Sequence, residues 1–346
     1  MNELQVFDVS PMIYVGDKGR QESYYSLRVG GIRFLLNHLA VAFTDRDKVV
    51  LCFDSPSFRK DLFQGYKSGR PSEPAIHYQV NAMYDELRSC GIRCEKYDGY
   101  EADDIVEWAV AQNIEKFIRG VTIYSNDHDI CHSIRNGVML AAITNSMNDI
   151  SPSNFETAIS RGEKIPYNTI SAQKVFCGCS SDAIPPLSIA AGYSGKQLYH
   201  AWCKAVSKVG SLASRKLGAN PAVVTAFAKG SGLFTPEELE QVEKRIKLIY
   251  PADPPEGVEI VPVDYMKDVD HEKFIQVCQK YGARDAVTCL GERQRKLTQE
   301  EIQELRDAAH RVNSGEYAAD KNLIHETKSV KSTLVDLNSF TRGFTG

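Results

Sequence analysis

The chain has 346 residues, 42% hydrophobic and 25% charged, which suits one large folded domain plus a smaller one and argues against a disordered chain. Its formal net charge of −4 argues weakly against a nucleic-acid partner held by net charge alone. The start, Met1-Asn2-Glu3-Leu4, lacks a basic region followed by an apolar stretch, and no apolar run nears the roughly 18 residues of a span, so neither a leader nor a membrane partner is expected. Nine cysteines lie scattered, the closest pair being Cys177 and Cys179. That is not a zinc-finger spacing, and reduced, buried thiols in a cytoplasmic protein are expected.

In chain order, Leu4 to Val9 predicts a short buried strand with Asp8 at its end. Leu27 to Phe43 predicts a helix, with Leu27, Gly31, Phe34, Leu35, His38 and Leu39 near one stripe. Val49 to Phe53 predicts a second strand, ended by Asp54. Ser55 to Pro74 is polar and basic, Ala75 to Cys90 is helical, and Ile92 to Tyr97 is a third strand. Ala102 to Ala111 predicts a helix whose first turn holds Glu101, Asp103 and Asp104, where the helix dipole favours negative charge. Val121 to Tyr124 is a fourth strand running to Asp127, and Val138 to Ile143 a fifth. After a turn at Ser151 to Asn154, Ser171 to Cys177 predicts a helix leading to Ser180-Ser181-Asp182. From Leu187 the pattern is helical, broken at Pro251 to Pro255, resuming at Val258 to Val263 and again as a helix from His271 to Tyr281.

Strands alternating with helices predict a mainly parallel sheet with helices on both faces. Sites in such sheets form at the carboxyl ends of strands, where Asp8, Asp54 and Asp127 all fall, with Glu101 following a strand. Carboxylates gathered at one edge repel one another, by about 4 kcal/mol per pair at ~4 Å and an effective dielectric near 20. Hard cations between them relieve that repulsion, and an oxygen-only ligand set selects magnesium or manganese.

Four blocks, in this order, resemble the structure-specific 5′-nuclease family of flap endonucleases and 5′→3′ exonucleases. They are Phe53-Asp54 with Phe58-Arg59-Lys60 and Tyr66 to Arg70, then Gly91 to Asp104, then Tyr124 to Asp129, then Gly178 to Pro185. The later helical part, including Val261 to Tyr265, is most similar to the ribonuclease H of T-even bacteriophages. The resemblance implies an α/β, PIN-like (resolvase-like) nuclease domain over residues 1–186, with a helical arch at about 55–90. It further implies a helical DNA-binding domain over 187–315, and the polar stretch 316–346 reads as a flexible tail.

It also implies hydrolysis of phosphodiesters in flapped, nicked or branched DNA and in RNA–DNA hybrids, with two magnesium ions that manganese can replace. Asp8, Asp54, Glu101 and Asp103 match ligands around one ion, and Asp104, Asp127, Asp129 and Asp182 match ligands mostly of the second. Lys67 and Arg70 match residues that hold the scissile phosphate. At helical spacing Arg59, Phe63, Tyr66 and Arg70 share a face, with Lys60 and Lys67 beside it, so Arg59, Lys60, Tyr66, Lys67 and Arg70 are candidate strand-binding residues. Lys196 is a further candidate phosphate contact. The expected role is removal of RNA primers and flaps during phage replication, in the host cytoplasm, by a monomer.

Two departures stand out. Cys179 occupies a position where the family usually has an aspartate, and a thiol is a poor magnesium ligand. The glycine-rich turn that often binds potassium is replaced by Pro186 to Lys196, keeping only Gly192 and Gly195. A short apolar motif, Leu334 to Phe340, is a candidate docking segment for a sliding clamp or single-strand-binding protein. Two alternatives stay open: a PIN-type ribonuclease, and a non-catalytic structure-selective DNA-binding protein with a degraded second metal site.

Overall fold

The computed structural model describes residues 3–20, 22–69, 73–143, 149–154, 169–207 and 220–316. Strand β1 (Leu4–Asp8) runs into helix α1 (Val9–Arg20), which the sequence pattern did not suggest. A hairpin of β2 (Ser23–Tyr24) and β3 (Leu27–Arg28) follows. Its two turn residues, Tyr25 and Ser26, both have positive φ (49° and 70°), as the tightest hairpin turns require. This is why the helix expected from Leu27 begins only as α2, Gly30–Thr44. Gly31 lets α2 approach α1, since a Cβ there would lie 2.4 Å from the Ile13 carbonyl oxygen.

Strand β4 (Lys48–Cys52), α3 (Arg59–Leu62), α4 (Pro74–Ser89), β5 (Cys94–Glu95) and α5 (Ala102–Asn113) come next. After them lie β6 (Val121–Tyr124) and β7 (Val138–Ala141). The sheet order is β5-β4-β1-β6-β7, all parallel. Alternation along the strands buries both faces. Phe7, Val49, Leu51 and Phe53 pack with α1, α2 and α4, whereas Leu4, Val6, Val50, Cys52, Val121 and Ile123 pack with α5. The fold is the PIN-like α/β class that the sequence implies.

The basic stretch departs from expectation. Only Arg59–Leu62 is helical; Gly65 to Ser68 is turn, and Lys67 has φ +53°. Glycine and serine punctuate the segment, so Arg59, Phe63 and Tyr66 do not share one helical face. Arg70 lies outside the described residues.

Helices α6 (Ile170–Cys177), α7 (Gly195–Ser207), α8 (Pro221–Gly230) and α9 (Pro236–Ile249) form a second core around Phe176, Trp202 and Val242. The chain then returns to the sheet. Strand β8 (Val263–Asp264) pairs antiparallel with β4 at Lys48 and Val49. Beyond it, α10 (Tyr265–Asp268), α11 (His271–Lys280), α12 (Arg284–Cys289) and α13 (Gln299–Ser314) follow. Phe274, Val277, Val287 and Leu305 join the core on the α1–α2 face. The stretch 187–315, read as one helical unit, therefore divides between two cores. Residues 317–346, with the Leu334–Phe340 motif, lie outside the described residues. Among those described, no helix is long and apolar enough to cross a membrane, and none of the nine cysteines forms a disulfide.

Candidate active site at the carboxyl edge of the sheet

Register brings the acidic residues together. Asp8 aligns with Cys52 across β1–β4, and Phe7 aligns with both Leu51 and Tyr124. Asp8, Asp54 and the segment after Tyr124 therefore leave the sheet at one edge. Helix α5 starts at the same edge, and Asp54 Oδ1 accepts a 2.9 Å hydrogen bond from the Ala102 amide. Ser125, fully buried, links two of the carboxylates: its hydroxyl donates to Asp8 Oδ2 (2.8 Å) and accepts from the Asp127 amide (3.0 Å).

Asp8 is 4% exposed, and its Oδ1 has no hydrogen-bond partner. Burial, then the charges of Asp54, Asp127 and Asp103, push its pKa well above the ordinary carboxylate range. Burial, followed by Asp129, raises Asp127 to about 6. Asp103 goes the other way: burial opposes its charge, but Arg59, Lys67 and His132 outweigh it and lower the pKa. The hydrogen bonds that reach Asp8, Asp54, Asp103 and Asp127 come from neutral donors: the Ser125 hydroxyl and the amides of Ala102, Asp104 and Asp129. A buried, unpartnered carboxylate oxygen among like charges is the chemistry a hard divalent cation would satisfy.

Glu101 and Asp104 are spoken for. Arg59, 1% exposed, is bidentate to Asp104 (2.8 and 2.7 Å) and reaches Glu101 Oε2 (3.1 Å) and the Tyr250 carbonyl (3.1 Å). Asp104 also accepts from the amides of Glu101 (3.0 Å) and Ala252 (2.8 Å), so each of its oxygens already has two donors. Glu101 further accepts from the Tyr66 hydroxyl (2.8 Å) and Lys67 Nζ (2.5 Å). Two expectations are corrected here. Arg59 and Tyr66 (3% exposed) are buried parts of the floor and do not face a strand. Asp104, with no exposed surface, anchors Arg59 and the chain after α9 and does not face the edge as a metal ligand. Lys60 and Lys196 are exposed, and Lys67 lies at the rim with 19% of its side chain accessible.

The remaining carboxylates lie to one side. Gly178 (φ +82°) ends α6, and a Cβ there would lie 2.5 Å from the Ile184 carbonyl oxygen. The tight turn pairs Cys179 with Ile184 and carries Asp182 inward, 4% exposed. Ligand atoms of Asp129, Cys179 and Asp182 lie within 4.8 Å of one another. The Cys179 thiol donates to Asp182 Oδ2 (3.2 Å), and burial raises its pKa. Lys174, from α6, forms an ion pair with Asp129 Oδ1. Burial opposes the Asp129 charge, but Lys174 outweighs it and lowers the pKa. Sequence reasoning missed Lys174, Ser125 and His132, whose buried Nε2 has no partner. For Lys174 a signal existed, a lone cation on an otherwise apolar helix face five positions before Cys179.

The sheet is mainly parallel, and carboxylates line its carboxyl edge. Residues 17–160 match the family described as 5′-3′ exonuclease, N-terminal resolvase-like domain. Among curated relatives, the 5′-3′ exonuclease of Bacillus subtilis is 28% identical over 160 residues, 45% of this chain and 53% of the relative. That of Aquifex aeolicus is 31% identical over 104 residues, 29% and 35%, and that of Buchnera aphidicola 26% over 138 residues, 36% and 48%. The chain thus spans about half, or less, of the length of these relatives. Among solved structures, the bacteriophage T5 D15 protein crystallised with metal ions matches with a TM-score of 0.49 at 13% identity, covering 90% of this chain and 99% of that one. Human GEN1 in complex with Holliday junction DNA matches with a TM-score of 0.47 at 13% identity, covering 89% and 73%.

Proposed function

We propose that the chain is a divalent-metal-dependent 5′→3′ exonuclease and 5′-flap endonuclease. The observation that carries this reading is the buried, unpartnered Asp8 Oδ1 facing Asp54, Asp103 and Asp127, delivered by separate elements to one sheet edge. Asp8, Asp54, Asp103 and Asp127 would hold magnesium, with manganese as a substitute. A bound ion there supplies a Lewis acid and lowers the pKa of a bound water. Lys67, at the rim beside Glu101, would grip the scissile phosphate and offset its negative charge, with Arg70 as its partner in that role. Exposed Lys60 and Lys196 would contact phosphates further along the substrate.

The substrates in this reading are flapped, nicked or branched DNA and RNA–DNA hybrids, and the role is removal of RNA primers and flaps in phage replication. A kinship of the later helices with T-even ribonuclease H belongs to the same reading. So do a monomeric state, a host-cytoplasmic setting, and clamp or single-strand-binding partners for the tail. The test is a panel of 5′-labelled flap, nicked, gapped and hybrid substrates with magnesium or manganese. Cleavage that needs the metal and disappears in Asp127→Asn is expected, whereas undiminished cleavage in EDTA would sink the proposal.

A further inference from the structure

We infer that Lys174 is a built-in cation of the second half of the acidic edge: its ammonium is paired with Asp129, next to Cys179, in place of a second divalent ion, so the chain binds one such ion. The inference deepens the nuclease reading above and rests on it.

The residues of the second cluster do not fit a hard divalent cation. Asp129 Oδ1 is already paired with Lys174 Nζ. Cys179 is a thiol, a poor ligand for magnesium, and its hydrogen is directed to Asp182 Oδ2 at 3.2 Å, with Ser181 Oγ at 3.0 Å. The cluster thus offers two carboxylates, one of them neutralised, where hard cations need several free oxygens. An ion entering it would also meet the fixed ammonium at close range, in a setting that screens charge poorly.

Lys174 is held there by construction. Its neighbours on α6, Ile170, Ala172, Val175 and Phe176, are buried in the sheet-side and helical cores. Lys174 itself keeps only 17% of its side chain accessible. A surface lysine on such a helix would snorkel to water; this one is aimed at the carboxylates. Burial raises the pKa of the Cys179 thiol, so this position adds no negative charge to the cluster, and Lys174 supplies a positive one beside it. The hydrogen bonds that reach Asp8, Asp54, Asp103 and Asp127 come from neutral donors, and Asp8 Oδ1 is left without one.

Lys174 is on this account a positioning and charge-balancing residue, and its test counts ions. The full chain is titrated with manganese, and free Mn2+ is read by its electron paramagnetic resonance signal. The wild type should bind one ion. Lys174→Arg should also bind one, because it retains the cation. The double variant Lys174→Ala/Cys179→Asp should bind two, with circular dichroism verifying its fold. If that variant does not fold, Cys179→Asp alone carries the arm: still one ion is expected, since Lys174 remains. Two ions in the wild type, or one in a folded double variant, would overturn the inference. Flap cleavage measured in parallel separates the two ideas: a wild type that binds one ion but cleaves no substrate defeats the nuclease reading and leaves the ion count standing.

Discussion

Asp8, Asp54, Asp103 and Asp127 are held by neutral donors, with one buried oxygen left unpartnered. Asp129 and Asp182, next along the same edge, share their space with an ammonium and a thiol. The first group is kept under electrostatic strain, and the second has been relaxed from within. Strain of that kind is useful when an outside cation is to be captured, because binding relieves it. A relaxed cluster can shape the edge and hold the loop from Gly178 to Ile184 without waiting for a ligand.

The largest effect should come from the floor under both halves. Replacing Arg59 by Met removes the bidentate partner of fully buried Asp104. Breaking such a pair from one side costs about 3–5 kcal/mol, measured as a drop in the urea midpoint. A loss well below 1 kcal/mol would mean the floor is not shared and the halves are mechanically separate. The next test separates strain from relaxation directly. In metal-free protein, Asp8→Asn should raise stability, because it removes a carboxyl whose charged form burial disfavours, while abolishing protection by added magnesium. The matching Asp129→Asn change leaves Lys174 buried without its partner and should destabilise.

Acidity sharpens the same contrast. Asp127 is raised to about 6 by burial and by Asp129, against about 4 in an unfolded chain. A carboxyl raised on folding favours the folded state at low pH, and that contribution is lost as pH climbs through its folded pKa. With EDTA present, stability should therefore fall between about pH 4 and 6, and Asp127→Asn should flatten that slope. A slope unchanged in the variant would show that the first group is not strained. The smallest effect belongs to a control far from the edge. Glu301, lowered to about 2 mainly by its hydrogen bond from Arg295, contributes stability above the unfolded carboxylate range that is lost as pH falls towards 2. Because the pair is partly exposed, Glu301→Gln should cost at most about 1 kcal/mol, with no change in metal binding.

The acidic edge was legible because strand ends announce themselves: apolar runs stop at Asp8 and near Asp54 and Asp127. The first turn of α5 was legible from Glu101, Asp103 and Asp104, but not which of them turns inward. Asp103 and Asp104 are chemically identical in sequence, but the partners that bury Asp104 are mostly distant: Arg59, 45 residues earlier, and the amide of Ala252, 148 later. Arg59 itself looked like one more member of a basic stretch. Its burial depends on a hole that Asp104 and Tyr250 complete, and no local pattern encodes it. Lys174 stood out locally as a lone cation on its helix, but its partner Asp129, 45 positions away, did not. The start of α2 was misplaced by a hairpin turn with no glycine or asparagine at its centre.

The stretch after α9 has a consequence for the order in which the molecule is made. Trp108 Nε1 donates to the Ala252 carbonyl, Gln112 bonds Val258 and Ile260, and Asn113 donates to Ile260. These contacts run the length of α5, and with Tyr250 and Ala252 they finish the surroundings of Arg59 and Asp104. A nascent chain emerging from the ribosome can form β1, β4 and β6 long before that strap exists. Until residue 252 has emerged, the buried guanidinium and carboxylate lack part of their donor and acceptor set, and the acidic edge stands on an incomplete floor. The catalytic reading therefore carries a timing: this edge is completed late in synthesis, so a ribosome-bound fragment ending before Tyr250 should hold its carboxylates in place poorly and capture metal weakly.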